Sequence, residues 1–259
     1  MKASYYVNCA FYQGKDFATS PHLLSKEYPE LTAPNLWPDD DVLPGFKETF
    51  EELCNLIIDT AVLVARACDR YAAAFIEGYE PKYLEHVVQS SVITKARLLH
   101  YFPCEPAEYR GKVDDDSWCA THIDHGCLTG LTSAMYVDEE AHPPIPPKDG
   151  PPATLEALPG PPDPSTGLYI CARDSSIVKV SIPLDQLAFQ TGETLQSITQ
   201  GKFKAVPHFV KAQGSNRKGM KVARNTLAVF TQPDLQDLVN KQNGTTFGEF
   251  SKEVMGRFT

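Results

Sequence analysis

The stretch Trp118-Cys-Ala-Thr-His122-Ile-Asp124-His-Gly-Cys-Leu-Thr-Gly-Leu131 decides how the rest of the chain is read. It reads as a β-strand and sets an imidazole and a carboxylate, His122 and Asp124, two residues apart. Side chains two apart on a strand share a face, so the pair is expected to converge on one point. Upstream, Phe46, Phe50, Leu53, Ile57, Ala61, Val64, Cys68, Tyr71 and Phe75 recur at spacings of three and four. That is the period of an amphipathic helix and predicts one from Pro44 to Glu77, about nine turns long. A shorter helix is expected over Pro81–Gln89. Alternation then predicts strands at Ala96–Phe102, through the His122 stretch, at Leu168–Ala172 and at Ile177–Val180.

Residues 138–166 hold ten prolines, which withhold donors from a ladder and predict a surface loop inserted in the β region. Residues 1–43 carry no sustained period and are expected to be irregular, with loops and short strands that include Asn35–Pro38. The expectation is a single domain, 1–259, mainly β with flanking helices. It comprises the irregular region 1–43, a helical layer at 44–95 and a jelly-roll core at 96–259. Two facing sheets solve the edge problem, and their open mouth suits a metal pocket.

Two side chains leave a metal underligated, and the chain offers a third donor at His208, in Phe203-Lys-Ala-Val-Pro-His208-Phe-Val. Alone, His-x-Asp is a common triplet that more often forms a satisfied core or surface pair. Two histidines and one carboxylate on one face of an ion, however, are the donor set of non-haem Fe(II) sites, whose remaining positions stay open. Arg224 and Thr226 alternate in Ala223-Arg-Asn-Thr-Leu-Ala-Val-Phe230 and so share a face. A guanidinium beside a hydroxyl suits a carboxylate, held end-on through a bidentate, charge-assisted pair. By alternation His125 points away from His122, while His100 is expected near the pocket. Trp118 and Phe189 read as core, and Gln196 and Thr199 either as turn residues or as supports for the ligands.

The chain has 259 residues, 42% hydrophobic and 22% charged, with a net charge of −9. That length buries a full core, and the acidity argues against a broad nucleic-acid surface. The segment Lys202–Arg224 runs against this, with seven basic residues and no acidic one. It reads as a solvated basic strand and loop or as recognition of an anionic substrate. Apolar runs are too short for a membrane span and no basic, apolar leader opens the chain, so a cytoplasmic monomer is expected. Seven cysteines form no CxxC pair and are odd in number, as expected for reduced thiols.

From about Asn35 onward the chain resembles the 2-oxoglutarate/Fe(II)-dependent dioxygenases of the isopenicillin N synthase-like branch. The resemblance rests on Trp118-x3-His122-x-Asp124-x-Gly-x-Leu-Thr-x-Leu, on Gly167-Leu-Tyr-Ile, on Phe189-Gln-Thr-Gly192-Glu-Thr-Leu-Gln196-Ser-Ile-Thr-Gln-Gly201 running on to His208, and on Arg224-x-Thr226. It implies a double-stranded β-helix, a cupin-like jelly roll, with a long helix in its N-terminal half. It implies that His122, Asp124 and His208 hold Fe(II), and that Arg224 and Thr226 bind the distal carboxylate of 2-oxoglutarate, with O2 as the other cosubstrate. The implied reaction converts 2-oxoglutarate to succinate and CO2 while a small organic substrate is oxidised, by default hydroxylated.

The chain departs from the family pattern at three places. Phe102 stands before Pro103 where the family commonly has a tyrosine, and by alternation Tyr101 is expected on the opposite face. Fifteen residues separate His208 from Arg224, among them Gly214, Asn216 and Gly219, as an extended hairpin would have. The family's N-terminal helix-and-strand region is expected to be largely missing, through either truncation or divergence of the opening. These departures motivate the alternative of a catalytically silent member acting as a binding or regulatory protein. A zinc hydrolase is a third reading, in which Arg224 and Thr226 have no role.

Overall fold

A computed structural model describes residues 1–103, 118–143, 155–212 and 220–256. The chain opens with strand β1 (Lys2–Asn8), a short 3-10 turn (Ala10–Gln13) and the one-turn helix α1 (Pro29–Thr32). The two predicted helices follow as α2 (Phe46–Phe75) and α3 (Tyr83–Ser90). Strands β2 (Lys95–Tyr101), β3 (Cys119–His122), β4 (Leu128–Leu131), β5 (Met135–Asp138), β6 (Gly167–Cys171), β7 (Ile177–Lys179) and β8 (Ala188–Thr191) come next. Helix α4 (Glu193–Ile198), strands β9 (His208–Lys211) and β10 (Val222–Thr231), the pair β11 (Leu238–Asn240) and β12 (Thr245–Thr246), and helix α5 (Phe247–Gly256) complete the order.

The protein is mostly β, built of antiparallel sheets with a few helices. The larger sheet runs β1-β2-β10-β4-β8, with β5 pairing the first half of the long β10 and β4 its second half. The smaller sheet runs β3-β9-β6-β7. One stripe of α2 (Phe50, Cys54, Ile57, Ile58, Ala61) is buried against Val7, Ala96, Leu227, Val229 and Leu128 of the larger sheet. Carboxylate oxygens of Asp69 on α2 accept the Leu84 and Glu85 amides at 3.0 and 2.7 Å, which satisfies donors in the first turn of α3. No helix among the described residues is long and apolar enough to cross a membrane.

Helix and sheet approach closely at Gly130, where a Cβ would press into Ile57 Cγ2, itself fully buried. Changing Gly130→Ala is therefore expected to cost about 1–3 kcal/mol through overpacking. Urea denaturation reads this directly, and an unchanged midpoint would show that α2 can move away from the sheet.

The structure differs from the sequence reading in three respects. The His122 stretch is two strands, not one: β3 ends at His122 in the smaller sheet, and β4 starts at Leu128 in the larger. Residues 123–127 cross between the sheets, and the Cys127 amide docks on the Thr231 carbonyl at 2.8 Å. In the region 1–43 the strand lies elsewhere than expected: β1 pairs with β2 over seven residues, whereas Asn35–Pro38, expected as strand, is not one. Helix α5 has no counterpart in the sequence reading. Its Phe247, Phe250 and Val254 pack with Phe17, Tyr28, Leu31 and Ile93 in a separate cluster. Much of the proline-rich insert (144–154), the glycine-containing interval 213–219 and Cys104 lie outside the described residues. The other six cysteines are free thiols.

Candidate metal centre and anion pocket

His122, Asp124 and His208 come together. The two histidines face each other across the β3–β9 ladder, with ring centroids 4.2 Å apart. Asp124 lies beyond the end of β3, where the crossover turns it back, so the convergence arises from a change of sheet and not from strand alternation. Its Oδ1 is 4.0 Å from His122 Nε2 and 3.8 Å from His208 Nε2, and the three candidate ligand atoms all lie within 4.8 Å of one another.

The surrounding groups orient this trio. His122 Nδ1 lies 2.7 Å from the Ala120 carbonyl and His208 Nδ1 3.1 Å from that of Val206. A proton on His122 Nδ1 leaves its Nε2 lone pair free, the arrangement typical of metal-binding histidines, while His208 Nδ1 lies between the Val206 carbonyl and the Gln190 amide nitrogen, the latter at 2.6 Å. The other carboxylate oxygen, Asp124 Oδ2, accepts from Thr129 Oγ1 at 2.6 Å and Gln190 Nε2 at 3.2 Å. The first turn of α4 fixes the crossover, since the Glu193 amide donates to the Asp124 carbonyl at 2.8 Å and Thr194 Oγ1 to that of His125 at 2.6 Å. A Cβ at Gly192 would strike the Gly126 carbonyl, so only glycine allows this approach.

Burial holds the His208 imidazole below its ordinary value; Asp124 pulls it back up and His122 adds to the depression. His122 is raised, chiefly by its contact with the Cys119 thiol at 3.9 Å. His208 is thus the histidine more readily kept neutral, which is the form that binds a metal.

Arg224 and Thr226 share the inner face of β10, as expected, and are 6% and 7% exposed. They line the same cavity as His122, Asp124 and His208. Arg224 Cζ lies 5.3 Å from the centre of the Tyr101 ring, and Arg224 Nε has no hydrogen-bond partner among the described residues. A buried guanidinium with an unmet donor costs stability unless an anion arrives. The cavity walls are otherwise largely apolar, with Leu99, Leu131, Leu168, Ile182, Val210 and Phe230.

The expectation about the tyrosine is reversed. Strand β2 sends Arg97, Leu99 and Tyr101 into the cavity, and Tyr101 pairs with Arg224 across the ladder. Burial raises its hydroxyl above the usual value, partly offset by Arg224. Phe102 lies past the end of the strand and packs edge-on against His100 at 4.5 Å. His100 faces away from the cavity, where its Nδ1 meets Asn225 Oδ1 at 2.7 Å and its Nε2 lies 3.0 Å from Glu139 Oε1.

His125 turns from the trio to Glu193 at 3.0 Å. Trp118 is core, its Nε1 donating to the Phe102 carbonyl at 3.1 Å. Phe189 packs between α2 and the sheet. Gln196 accepts the Ala205 amide at 2.9 Å and Thr199 bonds back to Leu195, both serving the turn after α4. Sequence reasoning missed Thr129, Gln190 and Arg97. The first two sit inside quoted motifs, and strand register is what identifies them.

No family model and no curated relative matches the chain. Solved structures do. One, from Caulobacter crescentus and ascribed to the 2OG-Fe(II) oxygenase family, aligns over 100% of this chain and 70% of its own, with 19% identity and a TM-score of 0.65. A full-length Neurospora crassa protein in complex with alpha-KG aligns over 100% of this chain and 66% of its own, with 17% identity and a TM-score of 0.63. A protein from Shewanella oneidensis described as an oxygenase aligns over 99% and 71%, with 17% identity and a TM-score of 0.60. What these identities establish is a shared fold, that of 2OG-Fe(II) oxygenase structures.

Proposed function

We propose that the protein is a 2-oxoglutarate- and Fe(II)-dependent oxygenase with a double-stranded β-helix core, acting as a cytoplasmic monomer on a small organic substrate. The overall conversion is substrate plus O2 plus 2-oxoglutarate to oxidised (by default hydroxylated) substrate, succinate and CO2. One observation carries the reading: a buried arginine with an unmet donor shares its cavity with three converging His, Asp and His ligand atoms. The donor set fits the metal, since imidazoles and a carboxylate on one side suit Fe(II) and leave positions open. The Arg224 Nε donor left unmet among the described residues fits the cosubstrate, because the guanidinium makes no ion pair with a described carboxylate and can take an anion of the right reach.

His122, Asp124 and His208 would hold the iron, which when loaded with the keto acid supplies O2 activation at its open positions. Arg224 and Thr226 would receive the distal carboxylate, with the Tyr101 ring beneath the guanidinium. Thr129 and Gln190 hold Asp124 in one orientation, and the apolar walls offer the body of a substrate a surface beside the trio, of which His122 is open to solvent. A zinc hydrolase would give Arg224 no work. The silent-member alternative loses one of its grounds, since Tyr101 stands where Phe102 had left a tyrosine missing.

Anaerobic Fe(II) plus 2-oxoglutarate should produce the weak visible charge-transfer band of the chelate, and admission of air should then yield succinate. Folded protein that gives no band overturns the reading. A sharper check compares neighbours on β2. Tyr101→Phe is expected to raise the KM for 2-oxoglutarate about 3- to 10-fold, the worth of one hydrogen bond, whereas Phe102→Tyr should leave it unchanged. The opposite pattern would return the tyrosine role to position 102.

A further inference from the structure

A second cation faces the same cavity, and the cosubstrate does not account for it. Arg97 lies on the inner face of β2, four residues from Tyr101 and hence about 13 Å along the strand. Across the ladder Tyr101 meets Arg224, whereas Arg97 meets Ala228. A keto acid seated on Arg224 has its other end committed to the metal, so Arg97 is left for a different anion.

The N-terminal strand holds Arg97 in place. Its Nε and Nη2 both donate to Ser4 Oγ, at 3.0 and 2.8 Å, and its Cζ lies 4.9 Å from the centre of the Tyr6 ring. Ser4 is neutral and occupies two of the five N–H donors of a guanidinium. No carboxylate pairs with Arg97 among the described residues, whereas Arg66, Lys221 and Lys241 each reach a glutamate. A guanidinium held by a ring and a hydroxyl, with donors to spare at a cavity wall, is preorganised for an anion.

The register places this station beside the reacting centre. Ala228, the partner of Arg97, is two residues from Phe230, whose own partner Thr129 holds Asp124. The cavity lining here is largely apolar, with Leu99, Leu131, Ile182 and Phe230 beside the Thr132 hydroxyl. Resting on the oxygenase reading, we propose that the substrate is a small organic carboxylic acid with an apolar body. Its carboxylate is taken by Arg97, and its body lies against Leu131 and Phe230 towards the metal.

The test uses the Fe(II)-loaded enzyme with 2-oxoglutarate in air and a panel of aryl- and cycloalkyl-substituted acetic acids, each paired with its primary amide. Succinate formation is the readout, and the anaerobic band is recorded first. At least one acid should stimulate turnover, with kcat/KM about 10- to 100-fold above that of its amide, the range for a charge-assisted hydrogen bond. Arg97→Gln should erase the preference for the acid, and Arg97→Lys should retain part of it; thermal unfolding of each variant verifies that it is folded. The proposal is overturned if no acid stimulates, if amides match their acids, or if the preference survives in Arg97→Gln. Absence of the band instead overturns the oxygenase reading, and the substrate proposal with it.

Discussion

Changing His208→Ala is expected to abolish both the visible band of the Fe(II)–2-oxoglutarate chelate and all succinate formation. The variant keeps His122 and Asp124, but two donors at the end of a strand and on a crossover do not fix an ion whose remaining positions must take three more atoms. Loss even of a residue that only orients a ligand costs about 10- to 100-fold in metal affinity, so loss of a ligand is expected to cost more than about 100-fold. Fe(II) titration followed by the band measures this. A band of normal intensity at moderate Fe(II) would show that His208 is not a ligand.

The acid limb of the same titration is informative. Ligands bind as free bases, and His122 is raised while His208 is lowered. As pH falls, the proton therefore competes first at His122. Affinity should begin to drop above the ordinary imidazole value and not below it. Removing the thiol contact that raises His122, by Cys119→Ala, should move that limb to lower pH.

How much is legible in the sequence depends on the kind of information each residue carries. The three ligand types and their order are readable, because an imidazole or carboxylate at a converging point cannot be replaced by packing alone. Strand alternation is nevertheless the wrong reason for the convergence of His122 and Asp124. Nothing local in the side chains of residues 118–131 says that the backbone leaves one sheet at His122 and enters the other at Leu128. The face of Tyr101 is misread for a related cause. Period-two logic gives relative faces but not their phase, and counting the phase from Pro103 fails because the strand ends at Tyr101. Strand β1 is hidden in the sequence because Tyr5 and Tyr6 put aromatic rings on both faces, one packed against α2 and one beneath Arg97. Its purpose is visible only once Arg97 is seen to need support.

Changing Arg224→Met should move stability and cosubstrate binding in opposite directions. Arg224 is a buried charge whose Nε donor is unmet among the described residues, and because a buried ion carries a desolvation penalty of several kcal/mol, replacing it with an apolar side chain of similar length is expected to be stabilising. For a chain of this length each kcal/mol corresponds to about 2–4 °C in Tm, so the ligand-free variant should melt several degrees above the parent. The parent should gain about 2.7 kcal/mol from 2-oxoglutarate at about 100 times its Kd in the presence of Fe(II); the variant should gain almost none, because the distal carboxylate would then face a thioether. Differential scanning fluorimetry with and without Fe(II) and 2-oxoglutarate measures both terms. If Arg224→Met lowers the ligand-free Tm, the guanidinium is structural and its unmet donor is not waiting for an anion. If the variant still gains the full ligand shift, the carboxylate sits elsewhere, and Arg97 becomes the cation to examine. The pairing of a stability gain with a binding loss is what separates a site kept for a ligand from a polar residue kept for the fold.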